Sequence, residues 1–160
     1  TITIPADSGC SVESPTSVSV PAADTAATYA LQTMTGFSLY CRTSGATVPV
    51  TIIFDKVYDT SKLVVRHYNA SNNTYRTVTG ATFSTVTVGG TQKTTATYTV
   101  TDGGELDTDG VANGVIVDPV SLATVATLAS TGVSNQLIFI LSLSSLGLGV
   151  TAFKKSSSSR

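Results

Sequence analysis

The chain has few of the side chains on which catalytic and metal sites depend. It contains one histidine, His67, two cysteines, one methionine and no tryptophan among its 160 residues. An acid–base enzyme needs an oriented base and an oxyanion hole, and no motif in the sequence announces either. There is no CxxC pair and no Cys/His cluster of the kind that binds zinc. The sequence therefore predicts that the chain is not an enzyme.

Charge is also scarce. Only 12% of the residues are charged, against about 25% in ordinary soluble domains, and the formal net charge is −1. No basic surface is present that would attract nucleic acid, so no nucleic-acid partner is expected. Valine and threonine are abundant instead, and their branched side chains favour strands over helices.

Short strand-like segments separated by turn residues fill residues 28–119. Asparagines in 69–73 and the Gly89-Gly90 pair favour turns between strands. Turn signals every 8–12 residues or so are typical of an antiparallel β-sandwich, here of the immunoglobulin-like kind. The prolines in 1–27 predict a linker or the end of a preceding module, in which 17–20 could add one edge strand. Pro119 is expected to end the last strand, and 120–127 to form a stalk.

The segment 128–160 combines three features in a fixed order. A short motif comes first, then residues 133–153 without any charge, then a basic tail over 154–160 that starts with Lys154-Lys155. As a helix, the apolar segment would be about 31 Å long at ~1.5 Å per residue, close to the ~30 Å hydrocarbon core of a membrane. Lysines directly after such a helix favour the cytoplasmic side, which places the domain outside. The motif consists of Leu128, Ala129, Ser130, Thr131 and Gly132.

Motif, apolar segment and basic tail together resemble an LPXTG-type cell-wall sorting signal. The resemblance implies that sortase is a transient partner and that it cuts after Thr131, which is then joined to an amine of the cell-wall precursor. It also implies a Gram-positive cell-wall location, with the helix in the plasma membrane before processing and an export signal upstream of Thr1. Ala129 replaces the usual proline, and this LAxTG form resembles the substrates of class E sortases. The alternative is a surface module retained by a simple transmembrane anchor.

Residues 98–119 read YTVTDGGELDTDGVANGVIVDP. This segment resembles the end of the choice-of-anchor U domain, which precedes sorting or anchoring signals in bacterial surface proteins. The resemblance implies a β-sandwich module at the cell surface with a structural or adhesive role, and it supplies no catalytic activity. A pilin-type subunit is the alternative, for which Lys56, Lys62 or Lys93 would have to serve as the acceptor in polymerisation.

Oxygen-bearing side chains recur within 102–118. The alternating acidic positions resemble the aspartate-rich loops of thrombospondin type 3 repeats, and Ca²⁺ takes six to eight oxygen ligands at about 2.3–2.6 Å. The alternative is a solvated turn in which Asp and Asn side chains bond to the backbone. The calcium interpretation uses Asp102, Glu105, Asp107, Asp109, Asn113 and Asp118.

Two further side-chain features remain open in the sequence. Cys10 and Cys41 are compatible with one disulfide in an oxidising compartment, or with two buried thiols. His67 lies in a predicted strand over 62–68, on the same face as Val65, and no role in catalysis is expected for it.

Overall fold

A computed structural model describes residues 1–125 with the exception of 14, 20–23, 30 and 32. Eleven strands are present in the described part, together with one short 3₁₀ helix, Thr60–Lys62. The chain is mainly β, as the sequence predicts. The strands are β1 Ile2–Thr3, β2 Cys10–Val12, β3 Thr16–Ser19, β4 Ala27–Tyr29, β5 Thr33–Cys41, β6 Thr47–Ile53, β7 Leu63–Asn69, β8 Thr74–Thr77, β9 Thr82–Val88, β10 Thr91–Thr101 and β11 Val115–Val125.

The strands form two antiparallel sheets. Sheet 1 has four strands in the order β1-β6-β10-β9. Sheet 2 has seven strands: its main path is β2-β5-β11-β7-β8, β3 also pairs with β5, and β4 pairs with β11. The predicted turns at 69–73 and Gly89-Gly90 join β7 to β8 and β9 to β10, as expected.

One hydrophobic core is shared by the two sheets. Alternate residues of β6 and β10 from sheet 1 contribute to it, and so do alternate residues of β5, β7 and β11 from sheet 2, because successive side chains of a strand point to opposite faces. Two antiparallel sheets with a common core are consistent with a β-sandwich. The buried core residues are Ile2, Phe37, Leu39, Val48, Val50, Ile52, Phe54, Leu63, Val65, Val78, Ala96, Tyr98, Val100, Ile116, Val120 and Leu122.

The structure corrects the predicted boundary at residue 28. The segment predicted as a linker contributes four strands: β1 pairs with β6, β2 and β3 pair with β5, and β4 pairs with β11. Only β3, which overlaps the predicted edge strand over 17–20, was anticipated. These strands have two to four residues each, too short for a periodic pattern, so the sheets that receive them determine their conformation.

The predicted stalk is corrected as well, because β11 continues past Pro119 to Val125. Cys41 N–H donates to Gly114 O at 2.7 Å, so alternation along β11 points the backbone groups of residue 119 away from β5. The pairing with β7 on that other side begins only at Val120. The missing N–H of Pro119 therefore removes no hydrogen bond to β5.

Residue contacts divide the chain into one compact unit, Thr1–Ala126, and a second unit, Thr127–Arg160. The second unit lies outside the described residues, and the predicted helix over 133–153 lies within it. Within the described part of the chain, no helix has the length and hydropathy that a membrane crossing requires.

Candidate functional site

Most predicted site residues of the described part lie in the acidic loop, residues 102–114 between β10 and β11. Its conformation depends on a close backbone contact at Gly103, where φ is +74°. A Cβ atom at this position would lie 2.6 Å from the backbone nitrogen of Ala112, which no side chain could accommodate without displacing the loop. Glycine at 103 thus lets the loop fold back on itself.

Asp102 fastens the start of the acidic loop to its end and to the turn before β6. Its Oδ2 atom accepts hydrogen bonds from the backbone N–H of Gly45 at 2.7 Å and of Gly114 at 2.8 Å, and Oδ1 accepts from Asn113 N–H at 3.2 Å. Desolvation raises the pKa of Asp102, but these N–H groups favour the ionised form, and the pKa lies below the usual value. The carboxylate therefore stabilises the loop as an anion.

Asp107 fastens the middle of the loop in the same manner. Its Oδ2 atom accepts from Gly103 N–H at 2.9 Å, and Oδ1 accepts from Val117 N–H at 3.1 Å on β11. The neighbouring Thr108 donates both its backbone N–H, at 2.9 Å, and its hydroxyl, at 2.8 Å, to Val117 O. Asp107 is 1% exposed. Because the side chain is buried, its carboxylate oxygens need these backbone donors in place of water.

The exposed acidic side chains of the loop also have partners. Asp109 accepts from Val111 N–H at 2.8 Å and from the Asn113 side-chain amide at 2.9 Å, while the Asn113 carbonyl accepts from Val115 N–H at 2.8 Å. Glu105 forms an exposed ion pair with Arg76 on β8. An exposed pair of this kind contributes little to stability, since solvent screens it.

The geometry of the acidic loop favours the turn interpretation over the calcium interpretation. Asp102, Asp107 and Asp109 already accept backbone N–H donors, and Asn113 bonds to the backbone of Val115. Asp118 is directed into the core and does not join them. Within the described residues, no three His, Cys, Asp or Glu side chains lie together as a metal site. Calcium binding stays a prediction that this geometry does not favour.

We expect that neither millimolar calcium nor EDTA will change the melting temperature of the full chain, because backbone donors already close the loop. A site with a dissociation constant one hundredfold below the added calcium would stabilise the protein by about 2.7 kcal/mol. Thermal unfolding followed by circular dichroism, with magnesium as the control ion, measures this. A rise in melting temperature with calcium that EDTA reverses would establish the metal site instead.

Asp118 forms a buried polar network with two residues from different strands. Asp118 Oδ1 lies 2.7 Å from His67 Nδ1 on β7, and Oδ2 accepts the Tyr98 hydroxyl of β10 at 2.8 Å. The three side chains are 0%, 1% and 3% exposed, respectively. Because Tyr98 belongs to sheet 1 and the other two residues to sheet 2, the network links the sheets through the core.

Burial has the largest effect on the pKa values of Asp118 and Tyr98. Desolvation raises the pKa of Asp118, while the hydrogen bonds from His67 and Tyr98 act in the opposite direction. The pKa of Tyr98 lies well above its usual value because of burial and the adjacent Asp118. His67 Nε2 is buried and bonds to no atom of the described residues. The hydrogen bonds of this network therefore join β7, β10 and β11 through the core.

Sequence reasoning missed this network, although the signal was present. Strand alternation places residue 118 between the core positions 116 and 120, and residue 67 on the same face as Val65. The sequence placed Asp118 among the calcium ligands and gave His67 no partner. Only the pairing of β11 with β7, in which Val120 lies opposite His67, brings the two side chains together.

A second unpredicted cluster lies on the outer face of sheet 2. The guanidinium of Arg66 donates to both carboxylate oxygens of Asp24, at 2.8 and 2.9 Å, and to the Thr77 hydroxyl at 2.6 Å. Tyr29 donates its hydroxyl to Asp24 at 2.6 Å. Desolvation raises the pKa of Asp24, but the bonds from Arg66 and Tyr29 lower it below the usual value. This bidentate ion pair holds residues 24–29 on the sheet.

Cys10 and Cys41 form a disulfide, which decides between the two alternatives left open by the sequence. They lie directly opposite each other on the antiparallel strands β2 and β5, with Cα atoms 4.0 Å apart. The bond encloses the segment that contains β3, β4 and Asp24. It therefore anchors a part of the chain in which β3 and β4 have only four and three residues.

The predicted sorting motif Leu128–Gly132 lies outside the described residues. Comparisons of the chain with models of known families, with curated proteins and with solved structures find no match.

Proposed function

We propose that this chain is a structural or adhesive module of a bacterial cell-surface protein, joined to the cell wall by sortase at Thr131. The observation that carries the proposal is the order of three sequence features: the motif 128–132, the uncharged segment 133–153 and Lys154-Lys155. Each feature is common alone, but a transpeptidase at the membrane needs all three in this order. The membrane segment holds the substrate, and the motif lies directly beside it.

The chemistry of the proposed step is acyl transfer. The thiolate of the sortase cysteine attacks the carbonyl carbon of Thr131, and the amide bond to Gly132 breaks. The amine of Gly132 takes up a proton and leaves with residues 132–160, and a thioester remains on the enzyme. An amine of the cell-wall precursor then attacks the thioester, releases the thiolate and forms a new amide with Thr131. A glycine after the cut allows close approach of the backbone.

The described domain supports a location outside the cytoplasm. A disulfide such as Cys10–Cys41 forms and persists in oxidising environments and is rare in the cytosol. The proposal includes an immunoglobulin-like, choice-of-anchor U-like sandwich as the displayed module and a C-terminal hydrophobic helix that sits in the plasma membrane until cleavage. Only Ala126 and Thr127 separate the end of β11 from the motif in the sequence.

Replacing Thr131 with alanine is expected to abolish attachment to the wall. The reason is that sortase must recognise the side chain of the residue whose carbonyl carbon it attacks. Ser130→Ala is the matched control, since the third position of the motif is variable in the signals that this one resembles. The measurement is mass spectrometry of the C-terminal peptide released from purified cell wall. The wild-type protein and the control should end at Thr131 joined to a wall peptide.

The same experiment separates the alternatives. A wild-type protein found in the membrane fraction with the Thr131–Gly132 bond uncut, and absent from the wall, would establish a simple transmembrane anchor and reject sortase processing. Thr131 joined to Lys56, Lys62 or Lys93 of another copy would establish the pilin-type subunit. Lys56 and Lys62 are exposed, and Lys93 is partly buried on β10.

A further inference from the structure

The outer edge of β9 is open along its whole length in the described part of the chain. β9 ends sheet 1, and β10 is its one partner strand there. Its seven residues, Thr82–Val88, contain no charged residue and no proline. Charges, prolines and bulges are the usual means by which proteins prevent edge strands from pairing with other chains. β9 has no charge or proline, so it presents a regular row of backbone donors and acceptors.

The other sheet edges are shorter. At the opposite edge of sheet 1, β1 has only two residues. In sheet 2, β2 and β3 have three and four residues and share one edge of β5, and β2 carries the disulfide. β8 has four residues and includes the charged Arg76. The contrast makes β9 the edge best suited to strand addition in the described domain.

The turn before β10 determines which backbone groups of β9 point outward. Gly89 and Gly90, with φ of 58° and 79°, form a two-residue turn closed by the pair Val88 and Thr91. In such a hairpin the closing pair is hydrogen-bonded, and hydrogen-bonded pairs then recur at every second residue. Residues 82, 84, 86 and 88 therefore bond to β10. The N–H and C=O groups of Phe83, Thr85 and Thr87 point to the open edge.

We propose that the open edge of β9 pairs antiparallel with the same edge of a second copy of this chain, with the two-fold axis at Thr85. The three outward residues are symmetric about this position. Thr85 would face the second copy's Thr85, Phe83 would face the second copy's Thr87, and Thr87 would face the second copy's Phe83. All three are hydrogen-bonded pairs in this register, and each exchanges two bonds, so about six backbone hydrogen bonds form.

The side chains of β9 fit this partner. A second copy places no like charges opposite each other, because the strand has none, and between the hydrogen-bonded pairs Ser84 would face the second copy's Val86. Threonine and β-branched residues opposite one another stabilise antiparallel pairs. A charged partner would find no charge on this edge to complement. The edge contact is smaller than the roughly 1,200 Å² of a stable interface, so we expect weak, reversible pairing.

Sedimentation equilibrium of the full chain in a mild detergent, over a range of protein concentrations, tests the pairing. Wild type should associate reversibly. Thr85→Pro removes the central outward N–H from both copies but leaves the bonds to β10 in place, and it should weaken association at least about tenfold. Thr99→Lys is the control for surface substitution, because Thr99 is exposed on the central strand β10.

A charge swap at the two-fold axis is a second, independent test of the pairing. Thr85→Lys and Thr85→Glu should each weaken self-association severalfold, because like charges would lie opposite each other, and an equimolar mixture should recover it. Hydrogen exchange should also slow with concentration at Phe83, Thr85 and Thr87, but not at Val86, which already bonds to β10.

Two results would overturn the proposal. One is a wild-type protein that stays monomeric up to millimolar concentration. The other is self-association that persists unchanged in Thr85→Pro, Thr85→Lys and Thr85→Glu, without added protection at the three amides, since pairing would then lie elsewhere in the chain. If Thr85→Pro fails to fold, the charge-swap variants alone decide between the outcomes.

Discussion

Asp118→Ala is expected to lower the free energy of unfolding by about 2–5 kcal/mol, because it leaves two buried hydrogen-bonding groups without their acceptor at about 1–3 kcal/mol each. The substitution leaves the Tyr98 hydroxyl and the His67 ring in the core without their shared acceptor. It also removes the one side chain of the network that bonds to both sheets. Chemical denaturation monitored by circular dichroism at neutral pH measures the loss.

Two further variants show whether the loss comes from the network. Asp55→Ala, at an exposed carboxylate 3.9 Å from Lys93 Nζ, should change stability by no more than about 0.5 kcal/mol. The triple variant His67→Leu, Tyr98→Phe, Asp118→Val replaces the network with apolar side chains and should regain most of the stability. If Asp118→Ala costs no more than Asp55→Ala, the network does not stabilise the fold.

Local chemistry made the turns of the central strands predictable. The Gly89-Gly90 turn was predictable because positive φ at two successive positions requires glycine or a residue that tolerates it. The turn after β7 follows the same rule, with Asn73 at φ 58°. Such turns depend on short-range sequence alone, which is why the strand predicted over 62–68 lies within one residue of the observed β7, Leu63–Asn69.

Long-range pairing made the N-terminal strands unpredictable. β1 is a strand because Ile2 and Thr3 meet Ile52 and Thr51 on β6, and nothing in two residues announces this. Asp24 was assigned to a linker because its partner, Arg66, is 42 residues away. The continuation of β11 past Pro119 depends in the same way on where β7 begins to pair.

The acidic loop shows a different limit of the sequence. Its carboxylates and glycines are compatible with a calcium loop and with a hydrogen-bonded turn. The same carboxylate oxygen atoms can coordinate Ca²⁺ or accept hydrogen bonds from backbone N–H groups. The choice depends on where donors from other segments lie, such as Gly45 N–H at 2.7 Å from Asp102. The Asp118 network, by contrast, follows from alternation once the register of β7 and β11 is known.

Loss of the Cys10–Cys41 disulfide is expected to destabilise the protein by about 4 kcal/mol. The two cysteines are 31 residues apart, and the chain-entropy model gives roughly this figure for a loop of that length. The comparison is between wild type and the double variant Cys10→Ser, Cys41→Ser, unfolded by denaturant under non-reducing conditions. Wild type with the disulfide reduced should match the double variant.

The effect should be largest at the N-terminal segment, because the loop that the disulfide closes contains β3 and β4. Without the bond, these short strands are held mainly by backbone pairing and by the Arg66–Asp24 ion pair. Limited proteolysis should therefore cut between residues 13 and 32 at denaturant concentrations that leave β10 and β11 intact. Uniform unfolding with no early cut would contradict this local role.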